Sequence, residues 1–232
     1  MRDNHSITKR EESNENDSTI LWSQIKSNKN RRIQTMRLIK DTIKLSNKII
    51  TSKSLSHDAI LAYTGLRMLM LRDSYVKSGL SYDICTSSGA IAYELGLQES
   101  DKYMLDAIKQ GLMELSEKEI IKSTPYVNGF IIDIHGIYLD ITEPYVQIDT
   151  AFINLLMDSD EQGRKKIPLL RYYIVLTSVG GYSAEIRRKL TQKYIASLAQ
   201  ITCEMTCHRY NRLLEDMKFI QKSETTALET TL

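Results

Sequence analysis

The sequence EIIKSTPYVNGFIIDI, residues 119–134, decides the fold of the central part of this chain. Two runs rich in β-branched and aromatic residues surround a proline and an Asn-Gly pair. Asn-Gly favours the tight turns that join adjacent antiparallel strands, and β-branched residues favour the strands themselves. The stretch therefore predicts a β-hairpin.

Three helical patterns precede this hairpin. Apolar residues recur at helical spacing in residues 54–71 and again in residues 100–119. A shorter pattern over residues 87–96 ends at Gly96, which is typical of a helix C-cap. Helix, helix, helix and hairpin is the element order of a winged helix-turn-helix, so the central region is predicted to form one such unit.

A similar order recurs towards the C-terminus. Residues 167–179 form a helical pattern with Pro168 in its first turn, where proline is tolerated. A basic connection, a short helical pattern and a longer one over residues 202–218 follow, and residues 219–223 favour the first strand of a second wing. The predicted fold is mainly α with small β-hairpin wings, arranged as two winged helix-turn-helix units in tandem with a boundary near residues 159–166.

Charge is distributed unevenly along the 232 residues, although the net charge is only +2. Residues 20–53 carry nine basic side chains against Asp41 alone, whereas residues 54–160 carry seven basic and sixteen acidic ones, a net charge of −9. Residues 161–232 are basic again, with twelve basic and seven acidic side chains. An acidic centre between two basic segments indicates different partners for different parts of the chain.

These patterns divide the chain into five segments. They are a disordered arm at residues 1–19, a basic helical segment at 20–53, an acidic winged-helix unit for interaction or dimerisation at 54–160, a basic DNA-binding winged-helix unit at 161–222 and a flexible tail at 223–232.

The basic segment has two open interpretations. Its apolar residues follow helical spacing from Ile20 to about Leu45, and the run NKIITSK at residues 47–53 favours a short strand. Its positive charge either contacts DNA or is neutralised by the acidic unit within the fold, and the second interpretation also explains how its apolar residues are buried. A solvated basic helix is a third option.

The helical pattern TCEMTCHRYNRLLEDMK, residues 202–218, has two distinct faces. Cys207, Tyr210, Leu214 and Met217 recur at the spacing of a single apolar stripe. We therefore expect Cys207 to pack in the core as a small hydrophobic residue.

The same stretch raises the possibility of a metal site, because Cys203, Cys207 and His208 lie close in sequence. A zinc site needs three or four convergent ligands, and adjacent residues on a helix point about a quarter-turn or more apart. The chain holds no second cysteine or histidine pair at ligand spacing. No bound metal is predicted.

The outward face of this helix consists of hydrogen-bonding side chains, on an element that fits the major groove of duplex DNA. The candidates for reading bases are Thr206, His208, Arg209, Asn211 and Arg212. Basic residues in the flanking stretches are candidates for phosphate contacts. They are Lys165, Lys166, Arg187, Arg188, Lys189, Lys218 and Lys222.

The stretch KYIASLAQITCEMTCHRYNRLLEDMKFIQ, residues 193–221, resembles the helix-turn-helix region of bacterial winged-helix proteins. With LSHDAILAYTGLRML at residues 55–69 and KIPLLRYYIVLTS at residues 166–178, it makes about residues 50–222 similar to tandem winged-helix replication initiators and related regulators of plasmids and phages of low-GC Gram-positive bacteria. The resemblance implies duplex DNA binding, with the helix after the turn as the reading helix.

The central unit does not fit the same role. Its third helical pattern presents a mixed and acidic set of side chains, which a duplex would repel in a unit of net charge −9. They are Asp101, Lys102, Tyr103, Asp106, Lys109, Gln110 and Glu114. We expect this unit to contact proteins instead, as a dimer interface or as the site of another partner.

Motifs of catalysis are missing from the sequence. It contains neither a phosphate-binding glycine loop nor a nucleophile elbow. His135 lies near Asp133 and Asp140, but its position favours a solvent-facing histidine at a strand end or turn. The sequence therefore predicts that the protein is not an enzyme, has no catalytic residues and needs no cofactor.

The N-terminus and the cysteine content predict a cytoplasmic protein without membrane contact. The first residues lack the apolar run of a signal peptide, and three cysteines do not make a disulfide framework. The predicted function is sequence-specific binding of double-stranded DNA, as a homodimer, in replication initiation or transcriptional control on a mobile element. The alternative is a protein-interaction scaffold that uses winged-helix folds in a primosomal or secretion/transfer assembly.

Overall fold

The computed structural model describes residues 42–72, 83–98, 101–133, 144–159, 161, 163–180 and 192–220. The predicted arm, most of the basic segment and the predicted tail lie outside these residues. The described residues from Thr42 to Ile220 cluster as one compact unit.

The first part of the chain contains four helices and four strands within the described residues. They are β1 (Thr42–Ser46), α1 (Asn47–Ile50), α2 (His57–Arg72), β2 (Asp83–Thr86), α3 (Ser88–Glu94), α4 (Lys102–Glu117), β3 (Lys122–Tyr126) and β4 (Gly129–Asp133). The second part begins with a strand and is otherwise helical where it is described. Its elements are β5 (Tyr145–Asp149), α5 (Thr150–Met157), a short 3-10 helix (Gly163–Lys165), α6 (Lys166–Gly180), α7 (Gln192–Leu198) and α8 (Glu204–Asp216). The prediction of a mainly helical protein with small antiparallel sheets is confirmed.

The predicted hairpin is present as β3 and β4, and β2 completes an antiparallel sheet of order β2-β4-β3. Only Val127 and Asn128 separate the two hairpin strands. Gly129 opens β4, and a Cβ atom there would collide with the carbonyl oxygen of Thr86 on β2. Glycine at this position therefore serves the close approach of two strands rather than the turn itself.

The basic segment folds differently from the prediction where it is described. Thr42–Ser46 is a strand, not the end of a helix, and it pairs antiparallel with β5. Asn47–Ile50 is a helical turn, not a strand. The alternation of side chains along β1 buries Ile43 and Leu45 in the core. The strand is stabilised by cross-strand pairs with β5, which lies about a hundred residues later in the sequence. The local periodicity of residues 42–46 does not indicate this pairing with β5.

Helix α6 packs against elements from both parts of the described chain. It packs against α2, α5, α7, α8 and β5. Its Arg171 is fully buried, and the guanidinium donates to the carbonyl oxygens of Leu55 (2.8 Å) and Ser52 (2.6 Å) in the loop before α2. The two predicted units, 54–160 and 161–222, therefore share one core where they are described.

Residues 219–223, predicted as the first strand of the second wing, do not form a strand in their described part. Lys218 has a φ of 59°, which turns the chain sharply after α8. The ring of Phe219 then packs near Phe152 (centroids 5.0 Å apart) and Tyr173 (5.3 Å). Aromatic packing against the core replaces the expected strand at Phe219 and Ile220, and residues 221–223 lie outside the described residues.

Candidate nucleic-acid interface

Helices α7 and α8 form a helix, turn and helix. Helix α7 gives way to a turn in which Gln200 has a φ of 58°, and the amide of Ile201 donates back to the carbonyl of Ala196 at 2.8 Å. Cys203 occupies the N-cap position in an extended conformation, so α8 begins at Glu204. The helical pattern predicted over residues 202–218 therefore begins two residues too early.

The turn is anchored to the first part of the chain by its own glutamine. Nε2 of Gln200 donates to the carbonyl oxygens of Ser52 and Leu55, at 3.1 Å each. These are the two carbonyls that Arg171 also binds. Burial lowers the pKa of Arg171 to about 10, which leaves the guanidinium charged at neutral pH. The turn before α8 is thus tied to the loop between α1 and α2 by two hydrogen bonds, and α6 is tied to the same two carbonyls by two more.

The inward face of α8 is the predicted apolar stripe. Cys207, Tyr210 and Leu214 are buried, and Met217 packs against them at the rim of the core. The ring of Tyr210 lies 5.7 Å from that of Tyr172 on α6. The prediction that Cys207 is a core residue is confirmed.

The outward face of α8 carries three of the predicted base-reading side chains. His208, Arg209 and Arg212 are exposed, and Thr206 is half-buried beside them. Met205 is 76% exposed on the same face and was missed by the sequence prediction, which considered only hydrogen-bonding side chains. Spacings of three, four and seven residues place Met205, His208, Arg209 and Arg212 in one row. We call these four residues the outward row.

Asn211 does not lie in the outward row, contrary to the prediction. It is half-buried, and its Oδ1 accepts a hydrogen bond from the hydroxyl of Tyr172 at 2.8 Å. Burial raises the pKa of Tyr172 to about 12, and the bond to Asn211 opposes that rise. The amide oxygen of Asn211 therefore helps to hold α8 on α6.

Acidic side chains restrain part of the outward row. Nε of Arg209 lies 3.8 Å from Oε1 of Glu161, whose side chain is largely buried, and the guanidinium also lies 5.3 Å from the ring of Tyr210. Nε2 of His208 lies 3.8 Å from Oε1 of Glu204, one helical turn earlier. Arg209 is thus held in place while about half of its side chain stays accessible.

The predicted phosphate-binding residues divide into three groups. Lys165 and Lys218 are exposed, as the prediction requires. Lys166 is half-buried, and its Nζ donates to the carbonyl of Met157 at 2.5 Å, so it stabilises the junction of α5 and α6 instead. The remaining four lie outside the described residues: Arg187, Arg188, Lys189 and Lys222. The sequence prediction did not include Lys193, which is exposed on α7.

The cysteines at the start of α8 have opposite environments. Cys203 is exposed, and hydrogen bonds from the backbone and hydroxyl of Thr206 lower the pKa of its thiol. Cys207 is buried, and desolvation raises the pKa of its thiol. Within the described ranges, no three His, Cys, Asp or Glu side chains come together as a metal site would require.

The central helix α4 presents a surface of mixed charge. Lys102, Asp106 and Lys109 are exposed along it, as are Tyr103 and Met113. Two predicted surface acids point elsewhere. Asp101 accepts from the amide of Met104 at 3.2 Å and caps α4, while Glu114 accepts from the amide of Ser56 at 2.8 Å and supports the start of α2.

Comparison of the chain with protein-family models, with curated proteins and with solved structures gives no match. No helix among the described residues is long and apolar enough to cross a bilayer. The function is therefore inferred from the exposed side chains of the outward row and from the hydrogen bonds of Gln200 that hold the turn before α8.

Proposed function

We propose that the protein is a sequence-specific double-stranded DNA-binding protein that uses α8 as its reading helix. The observation that carries this proposal is the division of α8 into a buried stripe and the outward row. The buried stripe holds the helix on the core, and the outward row offers two guanidinium groups and an imidazole on an element of the width that a major groove admits.

The element order supports a tandem winged-helix architecture. Helix α2, strand β2, helices α3 and α4 and the β3–β4 hairpin follow the order of one winged helix. Helices α6, α7 and α8 supply three further helices in the order that a second unit would need, without a strand at the described residues 219 and 220. Replication initiation or transcriptional control on a mobile element is the role that the resemblance in the sequence favours.

In this function the phosphates supply most of the affinity and the base edges supply the choice of sequence. Lys165, Lys193 and Lys218 are exposed around the helix-turn-helix and are suited to phosphate contacts. Arg209 or Arg212 bound bidentately to a guanine contributes about 1–3 kcal/mol of discrimination. A homodimer would place two copies of α8 about 34 Å apart, on half-sites one helical turn from each other.

A salt titration on random-sequence duplex tests this function. Each phosphate contact releases counterions, so the affinity of a DNA-binding protein falls steeply as salt increases. We expect a steep negative slope for the full chain and a shallower one for the variant Lys165→Ala/Lys193→Ala/Lys218→Ala. Absence of binding at low salt would reject the proposal.

A second function is favoured by the apolar side chains that the central unit exposes. Tyr93, Tyr103 and Met113 are at least half-exposed on α3 and α4, and Tyr126 and Val127 are exposed at the tip of the hairpin. Large exposed aromatic and methionine side chains are typical of protein-binding surfaces. In this second function the central unit binds a protein partner or a second copy, and the whole chain serves as a scaffold. Stable self-association or partner binding without any affinity for duplex would favour it.

A further inference from the structure

Met205 is the one large apolar side chain in the outward row. It is 76% exposed, more than any other apolar residue of the described helices. It is the second residue of α8, and it lies three, four and seven residues before His208, Arg209 and Arg212. A helix that packs its opposite face through Cys207, Tyr210 and Leu214 has no structural need for an apolar residue there.

The position of Met205 determines what it would meet. Reading helices present their N-terminal residues to the base edges, while their later turns lie farther from the groove floor. The major groove offers one apolar group, the C5-methyl of thymine, and every other base contact there is a hydrogen bond. A flexible thioether side chain adapts its shape to such a group and forms no competing hydrogen bond of its own.

We propose that Met205 is a specificity-determining residue that selects thymine in the recognised duplex by packing on its C5-methyl group. This inference rests on the proposed function. It adds that the first turn of α8 recognises thymine. Guanine selection by Arg209 or Arg212 and thymine selection by Met205 would then fall within the same half-site, because these side chains share one row.

The test uses the full chain and a random duplex library. Duplexes that the wild-type protein enriches are amplified again with deoxyuridine in place of thymidine, which removes only the methyl groups, and the Kd of both forms is measured. Burial of one methyl group accounts for about a fourfold change in affinity, so we expect the wild type to bind the uracil form about fourfold more weakly for each methyl contacted. Met205→Ala should bind both forms equally.

The control is Met113→Ala, which removes a methionine that is half-exposed on α4. It should keep the preference of the wild type for the thymine form. Equal binding of both forms by the wild type would overturn the inference while leaving DNA binding in place. A preference that Met205→Ala retains would also overturn it, since another residue or the shape of the duplex would then be responsible. A wild type that enriches no duplex at low salt would overturn the inference together with the proposed function.

Discussion

Neighbouring polar side chains of α8 have different tasks. Arg212 lies in the outward row, whereas Asn211 turns inward and accepts a hydrogen bond from Tyr172. Helical periodicity predicts the inward stripe correctly, because a helix that packs on a core buries a continuous apolar stripe. It does not predict the orientation of Asn211, because a polar residue at the edge of a stripe can face either the solvent or a buried partner. Which of the two occurs depends on whether a neighbouring element offers such a partner, as α6 does with Tyr172.

This difference gives a paired prediction. Arg212→Ala should lose about 1–3 kcal/mol of discrimination between preferred and altered duplexes and keep its stability. Asn211→Ala should leave the hydroxyl of Tyr172 without its acceptor, at a cost of about 1–3 kcal/mol in the free energy of unfolding, and keep the sequence preference. Duplex binding and denaturant unfolding of both variants check the pair. A loss of discrimination in Asn211→Ala with unchanged stability would contradict it.

His57 predicts a pH dependence. Burial, followed by the charge of Arg171, lowers the pKa of His57 from 6.5 to about 4. The unfolded chain therefore binds this proton first as the pH falls, so the stability that the neutral imidazole contributes is present above pH 6.5 and is lost between pH 6.5 and 4.

Denaturant unfolding of the wild type and of His57→Gln between pH 7.5 and 4 measures this contribution. Burial raises the pKa values of Asp58 and Glu94, which has the opposite effect, but both carboxyls are present in both proteins. The wild type should lose more stability than His57→Gln across this interval. Parallel curves would show that His57 does not contribute.

Contacts between elements explain two features that single-sequence reasoning did not predict. Gly111 on α4 faces the carbonyl of Asp58 on α2, where a Cβ atom would collide with that oxygen and lie 2.9 Å from the Cβ of Ala62. Gln200 holds the turn of the helix-turn-helix on the loop before α2. In both cases the partner is a backbone carbonyl far away in sequence, and the local pattern of apolar and polar residues does not indicate it.

The helix contact predicts that Gly111→Ala destabilises the protein by about 1–3 kcal/mol, since two packed helices must separate. Gly89→Ala on α3 is the matched control, because a Cβ atom there would be 3.6 Å from the hydroxyl of Ser87, an ordinary contact. This control should be neutral or up to ~1 kcal/mol more stable. Thermal unfolding separates the two outcomes, and equal effects of both substitutions would contradict the helix contact.

The anchored turn allows a second comparison. Gln200 and Lys218 both have left-handed φ angles, of 58° and 59°, so glycine relieves backbone strain equally at either position. Gln200→Gly also removes the two hydrogen bonds from the side chain of Gln200 to the carbonyls of Ser52 and Leu55. We therefore expect a net loss of about 1 kcal/mol in the free energy of unfolding. Lys218→Gly should not destabilise. Unfolding experiments that rank the two variants in the reverse order would contradict the anchoring role of Gln200.

At the scale of the whole molecule, helices and the hairpin could be predicted and the way they share a core could not. The hairpin and the stripe on α8 follow from short periodicities and turn residues. Strand β1, by contrast, exists because β5 lies beside it. The core is continuous because buried apolar side chains from both parts of the chain form one cluster, and Arg171 of α6 adds hydrogen bonds to the loop before α2. Such long-range pairings are decided by the free energy of the assembled core rather than by any one segment.

The continuity of the core bears on function. A reading helix tied to the first part of the chain would present its outward row at a fixed angle, so that DNA bound by α8 would lie at a fixed distance from the exposed surface of α4. The central claim is that the outward row, and not the surface of α4, lies against duplex DNA.

Site-specific photo-crosslinking tests that claim most directly. A photoreactive phenylalanine analogue is placed in the outward row at position 208, replacing His208, or on the exposed surface of α4 at position 106, replacing Asp106, and each protein is irradiated with labelled random duplex at low salt. The account predicts a crosslink to DNA from position 208 and none from position 106. A crosslink from position 106 alone, or from neither position while the protein is folded, would contradict it.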